Sequence, residues 1–136
     1  MDYWLTIVGI SVVLNLIGGL IYGVFGAFWV NALGKSSEEL RSRPNNWVAY
    51  LFSFFRSITI TVVVDFYLHQ LKLTGDLQGA LVTFSILAVG FSVGPVVNHH
   101  IFPSGLGNGL KLSLVDCGYD LVSIVLAAAG LVLLAH

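Results

Sequence analysis

Apolar residues fill this chain in long unbroken runs, unlike the one-sided helices or alternating strands of a water-soluble fold. No Asp, Glu, Lys or Arg occurs from Tyr3 to Gly34 or from Leu77 to Leu110. A hydrocarbon core of about 30 Å takes about 20 apolar residues as helix, so runs of this length predict membrane crossings. Four spans fit the pattern, at 4–29, 47–71, 77–97 and 110–135. Trp4 and Trp29 stand 25 residues apart, roughly 37 Å of helix, which suits an indole at each interface of one bilayer. The polar segment Asn31 to Asn46 separates the first two spans, and Ser36 or Ser37 there can cap a short surface helix, with Glu39 in capping-box spacing from Ser36. A tight turn at 72–76 precedes the third span, and a Gly- and Pro-rich link at 102–109 precedes the fourth. Pro95 is expected to kink or end the third helix, placing Asn98, His99 and His100 on its bent end. The predicted fold is all-α: a single domain over 1–136 forming an integral membrane bundle of four transmembrane helices.

Composition agrees. With 57% hydrophobic and 10% charged residues and a mean hydropathy of +0.90, the chain lacks the charge that a soluble surface requires. A net charge of -1 with scattered Lys and Arg gives no basic patch for nucleic acid. The single Cys117 excludes an internal disulfide and CxxC chemistry. The opening Met1-Asp2 lacks a basic region and its apolar run exceeds a signal-peptide core, so a retained first span is expected. Lys35, Arg41, Arg43 and Lys111 fall on one side and only Lys72 on the other. That bias predicts a cytoplasmic loop at 30–46 and both termini outside.

Polar residues inside the spans carry the candidate chemistry. Ser53, Ser57, Thr61, Asp65 and His69 recur at i, i+4 and form a polar stripe along the second span, with Arg56 beside it. Asp116, Tyr119, Asp120 and Ser123 form another on the fourth. Depth matching predicts that Arg56 pairs with Asp120, Asp116 or both, and that Asp65 pairs with His69. Asn15 is a neutral mid-span residue able to bond across helices. Gly19-x-x-x-Gly23 and Gly90-x-x-x-Gly94 permit close helix approach, either within the chain or between copies. Asn98, His99 and His100, near Asp116 and Tyr119, form a candidate ligand site at one end of the bundle.

Several activities lack their residues. Four histidines are too few for a membrane di-iron hydroxylase, and no GxSxG motif supports a serine nucleophile. Small multidrug exporters carry a carboxylate in the first helix, where this chain has Asn15. The glycines at 105–109 lack the preceding strand that shapes a phosphate loop. No catalytic set, metal site or cofactor is indicated.

Gly18 or Gly19, Tyr22, Phe25-Gly26, Trp29, Leu33-Gly34 and the acidic stretch Ser36 to Leu40 resemble the opening of a known family. Asn98, Phe102, Lys111 and the stretch Val115-Asp116-Cys117-Gly118-Tyr119-Asp120-Leu121 resemble its second half. The family is the domain of unknown function 1761 family, small membrane proteins of bacteria and fungi. Ile21, Gly23-Val24 and Pro103-Ser104-Gly105 depart from its usual pattern. The resemblance implies a four-helix membrane protein and singles out Tyr22, Trp29, Asn98, Asp116 and Tyr119, but it implies no activity. The sequence therefore reads first as a structural or accessory module in the lipid bilayer, associating with itself or with another membrane protein. A proton- or ion-linked path along the second-span stripe comes second. A binder or enzyme for a lipid-like molecule comes third.

Overall fold

The computed structural model describes residues 2–36, 38–39, 42, 44 and 46–135, with the side chain of Asn46 not described. Among these residues three helices are long and apolar enough to cross a membrane. Helix α1 spans Tyr3–Ala32, α2 spans Asn46–Gln70 and α3 spans Leu77–Leu134. Leu, Val, Ile and Phe side chains cover the outer surface, as at Leu16, Leu20, Phe52, Ile86 and Leu114. Exposed apolar surface of this kind suits contact with lipid.

Local chemistry sets the helix ends. The Asp2 side chain caps α1 by accepting from the Trp4 N–H. Gly34, at φ +70, closes its far end: the Lys35 N–H bonds Val30 O and the Gly34 N–H bonds Asn31 O, a Schellman pattern. The same pattern ends α2 around Lys72, a non-glycine residue at φ 57, with Leu73 N–H donating to Leu68 O. Asp76 caps α3 by accepting from the Gly79 N–H at 2.8 Å. In the first loop the Glu39 N–H donates to Ser36 Oγ at 3.1 Å, so Ser36 is the capping residue. Ser37, Leu40, Arg41, Arg43 and His136 lie outside the described residues.

The expected division into four helices is corrected to three. The helix runs through Pro95 and Pro103, and the expected link at 102–109 is helical except at Gly105. Pro removes one backbone bond, but neighbouring helices support such breaks in apolar surroundings. Asn98, His99 and His100 therefore lie within a helix and not on a frayed end. Gly105, at φ 75 and ψ 170, adopts a conformation that is essentially reserved for glycine.

At that residue α3 folds back on itself. A Cβ on Gly109 would stand 2.6 Å from Ile101 Cα, and Cys117 Sγ lies 3.9 Å from Ser92 O. In a straight helix, residues eight apart would be separated by about 12 Å. The arms 77–104 and 106–134 consequently form a hairpin, and only glycine at 109 allows their approach. Ile7, Ile10 and Leu14 pack with Val64 and Leu68 of α2 and with Ala80, Phe84, Ala127, Ala128 and Leu131 of the two arms. This apolar core fills the half of the bundle near the N-terminus. The ionisable residues at 56, 100, 116 and 120 gather in the other half.

Candidate functional site

Asp116 is the hub of that second half. The first turns of the 106–134 arm carry it inward, and it receives hydrogen bonds from two other segments. From α1, Tyr22 Oη donates to Asp116 Oδ1, and Trp29 Nε1 donates to the same oxygen at 3.1 Å. From the 77–104 arm, His100 Nε2 lies 2.5 Å from Oδ2. A carboxylate only accepts, so this bond places the histidine proton on Nε2. Tyr22 and Trp29 are seven residues apart, two turns of helix, and so reach one oxygen from one face of α1.

Asp120, one turn further on, takes the Arg56 guanidinium through Nη2. The guanidinium also lies over the Tyr119 ring, 4.6 Å from its centroid. Tyr119 in turn meets Tyr22 edge-on at 5.5 Å, and Tyr22 meets Trp29 at 5.8 Å. Tyr119 fits because Gly18 has no side chain: a Cβ there would stand 2.7 Å from Tyr119 Oη. The expected cluster of Arg56, Asp116 and Asp120 thus divides. Arg56 neutralises Asp120, while Asp116 is held by neutral donors and His100. Arg56 Nη1 and Ser123 Oγ are buried without a hydrogen-bond partner among the described residues.

A second polar assembly joins α1 to α2. Asn15 Oδ1 accepts from Ser53 Oγ at 3.1 Å, and its Nδ2 donates to Ser57 Oγ at 3.2 Å. Ser11 Oγ and Thr61 Oγ1 are 3.3 Å apart, and Tyr3 Oη donates to Asp65 Oδ2 at 2.8 Å. His69 Nδ1 lies 2.9 Å from the Asp65 carbonyl oxygen and 3.7 Å from its carboxylate. Ser57 and Thr61 are fully buried. The stripe is therefore a zipper: its hydroxyls meet the Ser11 and Asn15 pair, whose i, i+4 spacing on α1 repeats that of α2. That spacing was the available signal for Ser11, which sequence reasoning passed over. Tyr3 carries no such signal, because its bond depends on the antiparallel register of two helices.

The remaining candidates lie apart. Asn98 and His99 are exposed while His100 is buried, as adjacent residues on a helix must diverge. Gly19, Gly23, Gly90 and Gly94 have open space where a Cβ would stand. They are not the glycines that pack this bundle; Gly18, Gly109 and, against Ile10, Gly130 are. Among the described residues no three His, Cys, Asp or Glu side chains are grouped to hold a metal ion. A groove of about 490 Å³ runs between α1 and the 106–134 arm, lined by Ile21, Phe25, Phe28, Leu114, Val115, Gly118 and Val122. Another, of about 510 Å³, lies between α2 and α3 and is lined mainly by apolar residues including Ile60, Val63, Phe84 and Phe91. Neither includes the zipper residues Ser57, Asp65 or His69.

The model of the family described as "Protein of unknown function (DUF1761)" matches residues 5–133. The chain belongs to the DUF1761 family. No curated protein and no solved structure matches it. In this DUF1761 protein, four of the residues singled out from the sequence motifs, Tyr22, Trp29, Asp116 and Tyr119, converge on one cluster. The fifth, Asn98, is exposed on the 77–104 arm.

Proposed function

We propose that the protein is a four-span membrane module with a structural or accessory role, built to associate with a second copy or another membrane protein. Four crossings follow if each arm of α3 spans the bilayer. Its 58 residues amount to about 87 Å of helix, far more than one hydrocarbon core accommodates, and the reversal at Gly105 supplies the turn. The excess of Lys and Arg places both termini outside and the first loop in the cytoplasm on this reading.

The observation that carries the proposal is the closure of the second-helix stripe. Ser53, Ser57, Thr61 and Asp65 each bond a residue of α1, which favours fixing of helix register over a conducting path. The inner cluster is similarly occupied: Asp116, Asp120, Arg56 and His100 bond one another or an aromatic donor. The close contact of Ile101 with Gly109 also disfavours a lateral ligand entrance between the two arms. By contrast, Gly19, Gly23, Gly90 and Gly94 face outward with room for a neighbouring helix.

Chemical cross-linking in native membranes tests this reading. Wild-type protein should give discrete oligomers, and Gly19→Ile with Gly90→Ile should reduce them while the monomer stays helical. A wild-type monomer in the membrane would refute self-association. Proteoliposomes holding a pH-sensitive dye should show no flux above empty vesicles. Proton flux abolished by Asp65→Asn would establish the transport reading instead.

A further inference from the structure

The groove between α1 and the 106–134 arm differs from the rest of the apolar surface in what stands at its end. Lys111 is exposed, and its Nζ lies 6.0 Å above the ring of Phe28, which lines the groove. Lys111 forms no ion pair among the described residues. Trp29, the next residue after Phe28, ends the same stretch of α1 with its Nε1 turned inward to Asp116, leaving Phe28 and Lys111 to face the furrow's end. A cation therefore stands at the mouth of a furrow lined by hydrocarbon side chains. From Phe28 to Ile21 the furrow runs seven residues along α1, roughly 10 Å into the apolar layer. Gly118 opens its floor, with no neighbouring atom where a Cβ would stand.

We propose that this furrow seats one acyl chain of an anionic phospholipid whose phosphate rests on Lys111. Phe28 serves both parts, with its ring walling the chain and its face carrying the ammonium. The zwitterionic lipids around the protein share the hydrocarbon but bring a cationic group to the same place, so Lys111 discriminates between them. Neither the polar cluster at Asp116 nor the outward glycines takes part. The inference stands independently of self-association.

Native mass spectrometry of the full chain released from nanodiscs containing equal phosphatidylglycerol and phosphatidylcholine tests the assignment. Wild-type protein should retain phosphatidylglycerol preferentially. Lys111→Gln should lower that preference by about fivefold, the factor that one lysine contributes near an anionic surface. Gly118→Leu projects into the furrow and not into the protein, and should remove the retained lipid of both kinds with the helical content unchanged. Equal retention of the two lipids by wild-type protein would overturn the proposal, as would unchanged retention in both variants. Loss of oligomers in Gly118→Leu with lipid retention intact would also overturn it, by giving the furrow to a second copy.

Discussion

Removing the hydrogen-bond acceptors of Asp116 should destabilise the inner half of the bundle, and the structure gives the size of the effect. Asp116→Ala strands three donors, Tyr22 Oη, Trp29 Nε1 and His100 Nε2. Leaving a part-buried donor unsatisfied costs about 1–3 kcal/mol. Asp116 and His100 keep 20% and 10% of their side-chain surface exposed, so water can rescue part of the loss, and the lower end applies: about 3 kcal/mol in all. Asp116→Asn is the informative control. Its carbonyl still accepts from Tyr22 and Trp29, and its amide can donate to His100 once the ring proton moves to Nδ1. That variant should lose only about 1 kcal/mol. Thermal unfolding in mild detergent, followed by circular dichroism, should show a drop of roughly 10 °C for Asp116→Ala and a few degrees for Asp116→Asn. Equal melting of the two variants would refute the reasoning, because the bonds and not the charge would then carry no weight.

Two further changes probe packing and backbone geometry. Gly18→Val should destabilise by about 1–3 kcal/mol, since Tyr119 is confined between Tyr22 and Arg56 and has nowhere to retreat; Tyr119→Leu in the same chain should recover part of the loss in a melting comparison. Lys72→Gly should stabilise by about 1 kcal/mol, because Lys72 holds a left-handed conformation that glycine adopts without strain, and the gain should appear as a higher melting temperature.

Much of this architecture was legible in the sequence, and its gaps have physical causes. The charge-free runs marked long apolar helices because hydrocarbon excludes unpaired charge, and α1 and α2 lie close to the expected spans. The helix count failed at Pro95 and at 102–109. Turn-forming residues there read as a link by the rules of water, where backbone groups find solvent, whereas apolar surroundings favour helix up to a single glycine. The i, i+4 stripe on α2 was visible, yet its partner was not, since nothing in one helix states the register of its neighbour. Depth counting brought Arg56 to the level of Asp120. It did not show that Asp116 would be taken by Tyr22, Trp29 and His100, because side-chain direction around the bundle is fixed only by packing. The GxxxG motifs were legible as spacing, but their outward orientation depended on which face of each helix the core claims.

The central claim is that the polar groups inside the bundle are structural and satisfied by one another, with Arg56 and Asp120 as the pair that neutralises its own charges. A double-mutant cycle on Arg56 and Asp120 tests it most directly, with unfolding stability as the readout. Each single change, Arg56→Leu or Asp120→Leu, leaves the partner charge uncompensated and should destabilise the protein. The double variant Arg56→Leu/Asp120→Leu should recover most of that loss, since a well-packed apolar pair replaces an ion pair at little cost. Single variants as stable as the wild type, or a double variant as unstable as the two losses added, would contradict the account.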